Sequence, residues 1–226
     1  MRNLKFVAAA ALACTAIASA DTVDVYGAFI GPGQTFNVTE FGNTENVIAG
    51  QIGITISNSS GLDLNGSWIS YCTEISQNIQ IGGGTQTYTI ASVADLPTPG
   101  AGMGSARAEA IARMYFAAGG AQYSNDNDFC GAFALAIWKV SDDFDGTLAS
   151  LNLGAGNLVL NSSINVATQN YLDFLFGAAA NLNGQQASIL GLGNGNYQDL
   201  IIEVPGPGAL ALLGAAGLVA ARRRRA

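Results

Sequence analysis

The sequence predicts an α+β fold in which β-strands flank an inserted block of about three helices. Three observations predict it. Apolar residues alternate with period two at both ends of the region 21–203, helical spacing fills its middle, and glycine- and proline-rich turns mark each change of pattern.

The first strand is expected in DTVDVYGAF, where Val23, Val25 and Phe29 recur on one face. A second is expected in NVIAGQIGITIS, with Ile52, Ile54 and Ile56 alternating. In SWISYCTEI, Trp68, Ser70, Cys72 and Glu74 alternate with Ile69, Tyr71, Thr73 and Ile75. TQTYTIASV follows, rich in β-branched and aromatic residues. The loop LPTPGAGMG then leads into SARAEAIARMYFAAGG, a helix with Ser105 as its expected N-cap and Gly119-Gly120 as its stop. FCGAFALAIWKV also reads as helix, because Phe133, Ile137 and Val140 fall at i, i+4 and i+7 and Asp128 stands where a cap is wanted. A third helix is expected in SSINVATQNYLDFLFGAA, capped by Ser162 or Ser163. YQDLIIEV closes the region as a strand. GGGT and GLGNGN read as turns, since neither has the strand–loop–helix setting, or the lysine, of a phosphate-binding loop.

Three segments organise the 226 residues: 1–20, an acidic α+β domain over 21–203, and a tail over 204–226. The first has basic Arg2 and Lys5, an apolar run from Phe6, and small Ala18 and Ala20 before Asp21. That is the pattern of a secretory signal peptide cut before Asp21 by signal peptidase. An N-terminal buried helix and an acylated Cys14 are the competing readings. The central region holds sixteen acids against three bases (Arg107, Arg113 and Lys139), a net charge of −13. A surface of that sign repels phosphates, so no nucleic-acid partner is expected. The tail has Val204, Pro205, Gly206 and Pro207, then an uncharged run over 208–221, then Arg222, Arg223, Arg224 and Arg225. At ~1.5 Å per residue that run falls short of a ~30 Å hydrocarbon core, which weakens a permanent anchor. Four adjacent arginines exclude a core helix and favour retention on the cytoplasmic side of a transient membrane helix.

The short proline motif, apolar helix and arginine cluster resemble the PEP-CTERM sorting signal of Gram-negative bacteria. The resemblance implies recognition by an exosortase in the inner membrane, removal of the tail, and delivery to the cell surface or the exopolysaccharide matrix of a biofilm. Gly206 stands where that family usually has Glu.

Tyr71-Cys72-Thr73 and the helix reaching Ala136-Ile137-Trp138 resemble bacterial surface thioester domains, in which a strand cysteine condenses with a helix glutamine. Alanine occupies the glutamine position, Ala134, so Cys72, Ala134, Ile137 and Trp138 form a degenerate motif. The same resemblance places Cys130 near Cys72 and implies a disulfide between them, with two free buried thiols as the alternative. Asp143 and Asp145, in SDDFDG, are the candidate calcium ligands, although an EF-hand would need Asp at Ser141 and Glu at Asn152. Solvated turns are the alternative, and no cofactor is expected. Without histidine, imidazole-based triads and zinc sites are excluded. The expected function is a non-enzymatic adhesive or structural role at the cell surface or in the matrix. A thioester-type covalent adhesin and a carboxylate-based glycan hydrolase are the alternatives.

Overall fold

Two β-branched runs joined at Glu40-Phe41-Gly42-Asn43 build the longest element, a hairpin of β1 (Thr22–Glu40) and β2 (Asn43–Ser57). Its two central residues have positive φ, 47° at Phe41 and 86° at Gly42, so the turn twists with the strands. In the computed structural model, which describes residues 21–60 and 62–205, five more strands join them. These are β3 (Gly66–Cys72), β4 (Thr85–Ala91), β5 (Leu158–Leu160), β6 (Ile189–Gly193) and β7 (Leu200–Glu203). The sheet is antiparallel in the order β2-β3-β7-β6-β4-β1-β5, and the β1–β2 pairing closes six of the strands into a ring. The fold is therefore mixed α+β, with three helices: α1 (Ser105–Ala118), α2 (Asn127–Asp143) and α3 (Val166–Ala180).

Register sorts the side chains. Val23 lies opposite Tyr88, Val25 opposite Ile56, Ile52 opposite Ser70, and Ser70 opposite Ile202. All of these are buried on the inner face of the ring. The alternate set points outward: Gln51, Tyr71 and Ile201 are buried under covering chain, whereas Tyr26, Thr55 and Ser67 are exposed. Two register shifts in β1, between Gly27 and Phe29 and between Ile30 and Gly33, bend the hairpin. At the second bend Gly33 faces Gly50, and a Cβ on Gly33 would lie 2.2 Å from the Ala49 carbonyl oxygen. Only glycine permits that approach.

Helix α2 is the centrepiece. Every residue from Phe129 to Ser141 is buried, as its nearly continuous apolar sequence requires. It packs on β1, β2 and α3. Phe133 meets Tyr71 at 4.9 Å and Tyr115 at 4.8 Å between ring centroids, both edge-to-face, which ties α2 to β3 and α1. The buried Lys139 donates to Asp143 at 2.7 Å and to the carbonyls of Ala155 and Leu158, and Asp143 accepts the Asn157 and Leu158 amides. That network carries the chain from the end of α2 into β5.

The caps differ from those expected. Asp126, not Asp128, caps α2 by accepting the amides of Asp128 and Phe129. Asp128 is instead a hub between elements, accepting from Gln34 of β1 and from Asn165 and Thr168 beside α3. Asn165 caps α3 in place of Ser162 or Ser163. Gly104, without a side-chain hydrogen bond, stands at the α1 cap ahead of Ser105. GLGNGN is only half a turn: Gly191, Leu192 and Gly193 belong to β6, and a Cβ on Gly191 would lie 2.8 Å from a Leu96 methyl group. Short glycine-rich strands carry too little alternation to be read from sequence.

The signal-like segment with Ala18 and Ala20 lies outside the described residues, as do Gly206, Pro207, the run 208–221 and Arg222 to Arg225. Asp21, Val204 and Pro205 lie within them. The Asp21 carbonyl accepts the Ile90 amide at 2.7 Å, and the Val204 amide donates to Ser188 at 2.8 Å. No helix among the described residues is long and apolar enough to cross a membrane.

Candidate functional site

Strand β3 delivers Tyr71 and Cys72 to opposite faces of the sheet, and the two faces hold different chemistry. Cys72 pairs with Leu200 and turns to the inner face. It lines a pocket of about 270 Å³ with Trp138, Ile75 and Ile79. Burial, reinforced by the neighbouring Glu74 carboxylate, pushes its thiol up to about 12, so at neutral pH the sulfur is a protonated, apolar filler. Ala134, Ile137 and Trp138 are all fully buried, and the Trp138 indole nitrogen has no hydrogen-bond partner. Of these residues, Cys72 and Trp138 line one pocket together.

Tyr71 points the other way. Its hydroxyl donates to the Gln122 carbonyl at 2.6 Å, and that carbonyl is 3.9 Å from the Cys130 sulfur. Cys130 therefore shares the outer face with Tyr71, in the first turn of α2, while Trp138, the α2 neighbour of Cys72, lies eight residues on. At ~1.5 Å per residue that is about 12 Å along the helix. The expected Cys72–Cys130 disulfide is corrected accordingly: both cysteines are free thiols. Strand alternation is the cause: Cys72 turns away from the side of β3 on which Tyr71 meets the start of α2 and Cys130.

What Cys130 does meet is Gln51. This side chain leaves the outer face of β2, is buried, and places its amide nitrogen 3.1 Å from the Cys130 sulfur. The same nitrogen donates to the Gln122 carbonyl at 2.8 Å and the Ser124 carbonyl at 2.7 Å. A carboxamide has two N–H donors, and the two carbonyls use both. The sulfur is a third acceptor at the same nitrogen, and it lies 3.5 Å from the Ser124 carbonyl. Burial raises the Cys130 thiol and the Tyr71 hydroxyl alike, so both are neutral at physiological pH. The arrangement is a buried, uncharged thiol whose sulfur lies against a fixed carboxamide nitrogen.

Sequence reading passed over Gln51. Within NVIAGQIGITIS it occupies the polar phase of the alternation, where solvent is the ordinary neighbour. The cover is supplied by residues 121–126 and the start of α2, more than seventy positions later.

Acids elsewhere are drawn inside. Burial pushes Glu74 up to about 8, as do the Asp199 and Glu40 charges, although Glu74 accepts from Thr73 and the Asp199 amide. Burial followed by the Glu40 and Asp143 charges pushes Asp142 up to about 8, and its Oδ2 has no partner. Asp143 and Asp145, the candidate calcium ligands, are spent separately. The first holds Lys139 and two amides, and the second caps the Thr147 amide and hydroxyl within a turn. Among the described residues, no three His, Cys, Asp or Glu side chains are grouped to hold a metal.

Compared with protein-family models, with curated proteins and with solved structures, the chain matches none.

Proposed function

We propose that this is an exported protein of the cell surface or exopolysaccharide matrix with a non-catalytic adhesive or structural role. Signal peptidase and an exosortase process it as it crosses the inner membrane. The carrying observation is the pair of terminal signals bracketing a strongly acidic folded region, from Asp21 to the Val204-Pro205-Gly206-Pro207 break. The seating of Cys72 beside Trp138 supports a thioester-domain-like scaffold whose original site is blank at Ala134. Fractionation tests it. The protein should be recovered from the surface or matrix fraction with its arginines removed, and an exosortase deletion should return it to the inner membrane with the tail intact. Recovery in the cytoplasm with residues 1–20 intact would sink the reading.

A second reading, the covalent adhesin, is favoured by the contact between Gln51 and Cys130. The Cys130 sulfur bonds to Cδ of Gln51, the carbon–nitrogen bond breaks, and the thiol proton leaves with the amide nitrogen as ammonia. An external primary amine then attacks the same carbon, forms an amide on Gln51, and returns the proton to Cys130. Intact mass decides it. The reading requires loss of one ammonia from the purified protein, abolished by Gln51→Ala or Cys130→Ala and kept by Cys72→Ala. An unmodified mass on fresh protein, with both thiols titrating after denaturation, rejects it.

A further inference from the structure

A cleft of about 630 Å³ lies on the outer face of the sheet between β3, β7 and the end of α1. Its volume is within the ~300–1,000 Å³ of small-ligand sites. Ile69 of β3 contributes to the floor. Phe116 and Tyr123 stand at the walls, exposed by 48% and 38% respectively. Large aromatic side chains left this open beside a cleft offer flat apolar faces to a ligand. Ser67 and Ser188 add hydroxyl groups at the margin.

The one charge in the cleft is Glu203, and it is held in place. Its Oε2 accepts from Gln122 at 2.9 Å and from Tyr123 at 2.7 Å. Among the described residues its Oε1 accepts nothing, which leaves one carboxylate oxygen of a cleft-lining side chain free of protein donors. Among the described residues no cation is paired with it. The three bases between Asp21 and Glu203 all turn inward: Arg107 to the carbonyls of Ser141 and Phe144, Arg113 to that of Ala179, and Lys139 to Asp143. The remaining surface charge is acidic. An anionic polymer would be repelled across the whole face, whereas a protonated amine gains from the general field, from Glu203 and from the rings.

We infer that this cleft binds a glycan carrying free amino groups, a polymer of de-N-acetylated hexosamine. The sugar rings lie against Phe116 and Tyr123, and a protonated amine meets Oε1 of Glu203. The inference deepens the matrix reading and rests on it for the polymer's presence, but not for the binding chemistry. Gln122 couples this cleft to the Cys130 site, since its side chain holds Glu203 while its carbonyl accepts from both Gln51 and Tyr71.

The test is calorimetric titration of the purified full chain with a glucosamine hexamer, the N-acetylglucosamine hexamer and spermidine. The glucosamine hexamer should bind at least about tenfold more tightly than the other two, and the binding should weaken as salt is raised. Glu203→Gln and Phe116→Ala should each weaken it by about tenfold at unchanged melting temperature, and Phe116→Trp should retain it. The Phe116 pair keeps the test sound if Glu203→Gln disturbs Tyr123. Equal binding of the N-acetylated hexamer, equal binding of spermidine, or indifference to Phe116→Ala overturns the inference. So does binding that emerges only once residues from Gly206 onward are removed, since the tail would then be the cleft's occupant. Failure here is distinct from failure of the matrix reading. A protein retained inside the cell that still binds the hexamer leaves the cleft assignment intact, and a surface protein that binds none of the three removes it alone.

Discussion

The two faces of β3 make an instructive pair. Inside, Cys72 lines a pocket of mixed polarity with Trp138, its thiol pushed up to about 12. Outside, past the adjacent Tyr71, Cys130 lies against a carboxamide fixed by two carbonyls. Both thiols are buried and both are neutral, yet only Cys130 lies against a carboxamide. The neighbours differ because Cys72 turns to one side of β3, whereas Cys130, on α2, lies beside Tyr71 on the other.

The sharpest way to break the comparison is on the inner face. Trp138→Ala should empty a filled pocket and cost about 3–5 kcal/mol, read as a lower urea midpoint at unchanged slope. A cost near that of a surface substitution would mean the pocket is not part of the packed core.

Next in size is the pH dependence of the inward-drawn acids. Glu74 rises from 4.5 and Asp142 from 3.8, each to about 8, so the folded state holds protons that the unfolded chain has released. Stability from these groups is full below about pH 4 and is lost progressively as pH rises towards 8. The melting temperature should therefore fall between pH 5 and pH 9, and Glu74→Gln should flatten the fall. A rise over that interval would contradict the burial of both carboxyls.

Gln51→Ala sharpens the outer face. It strands the Gln122 and Ser124 carbonyls and should cost about 1–3 kcal/mol by chemical denaturation. A neutral effect would show that water replaces the amide, and that the carboxamide is not held for acyl transfer.

The smallest effect belongs to the inner thiol. Cys72→Ala should cost about 1 kcal/mol, with no change in intact mass beyond the substitution. In the native protein Cys72 should resist iodoacetamide and label only on unfolding. Rapid native labelling would mean the pocket opens to solvent.

How much of this was legible follows period and distance. The strand patterns at Val23–Val25, Ile52–Ile56 and Tyr71–Cys72 and the helical spacing through Trp138 were readable, because each signal lies within one element. The missed strands, β5 and β6, are three and five residues long, and β6 is built largely of glycine and leucine. The caps were misplaced by one to three residues because Asp, Asn and Ser near a helix start compete to cap it, and tertiary partners decide among them. Asp128 was needed by Gln34 and Thr168, which left the cap to Asp126. The disulfide expectation failed at one strand step.

By itself the sequence determined the α+β class, the acidic middle and the terminal signal patterns. Each of these is a property of composition or of short-range periodicity, which a chain carries without folding. Only the tertiary structure decided that Cys72 and Cys130 lie on opposite faces, that Gln51 is buried against Cys130, and that Glu203 faces a cleft between Phe116 and Tyr123. Those facts join residues as many as 203 − 116 = 87 positions apart, and the ring of strands and the buried α2 bring them together.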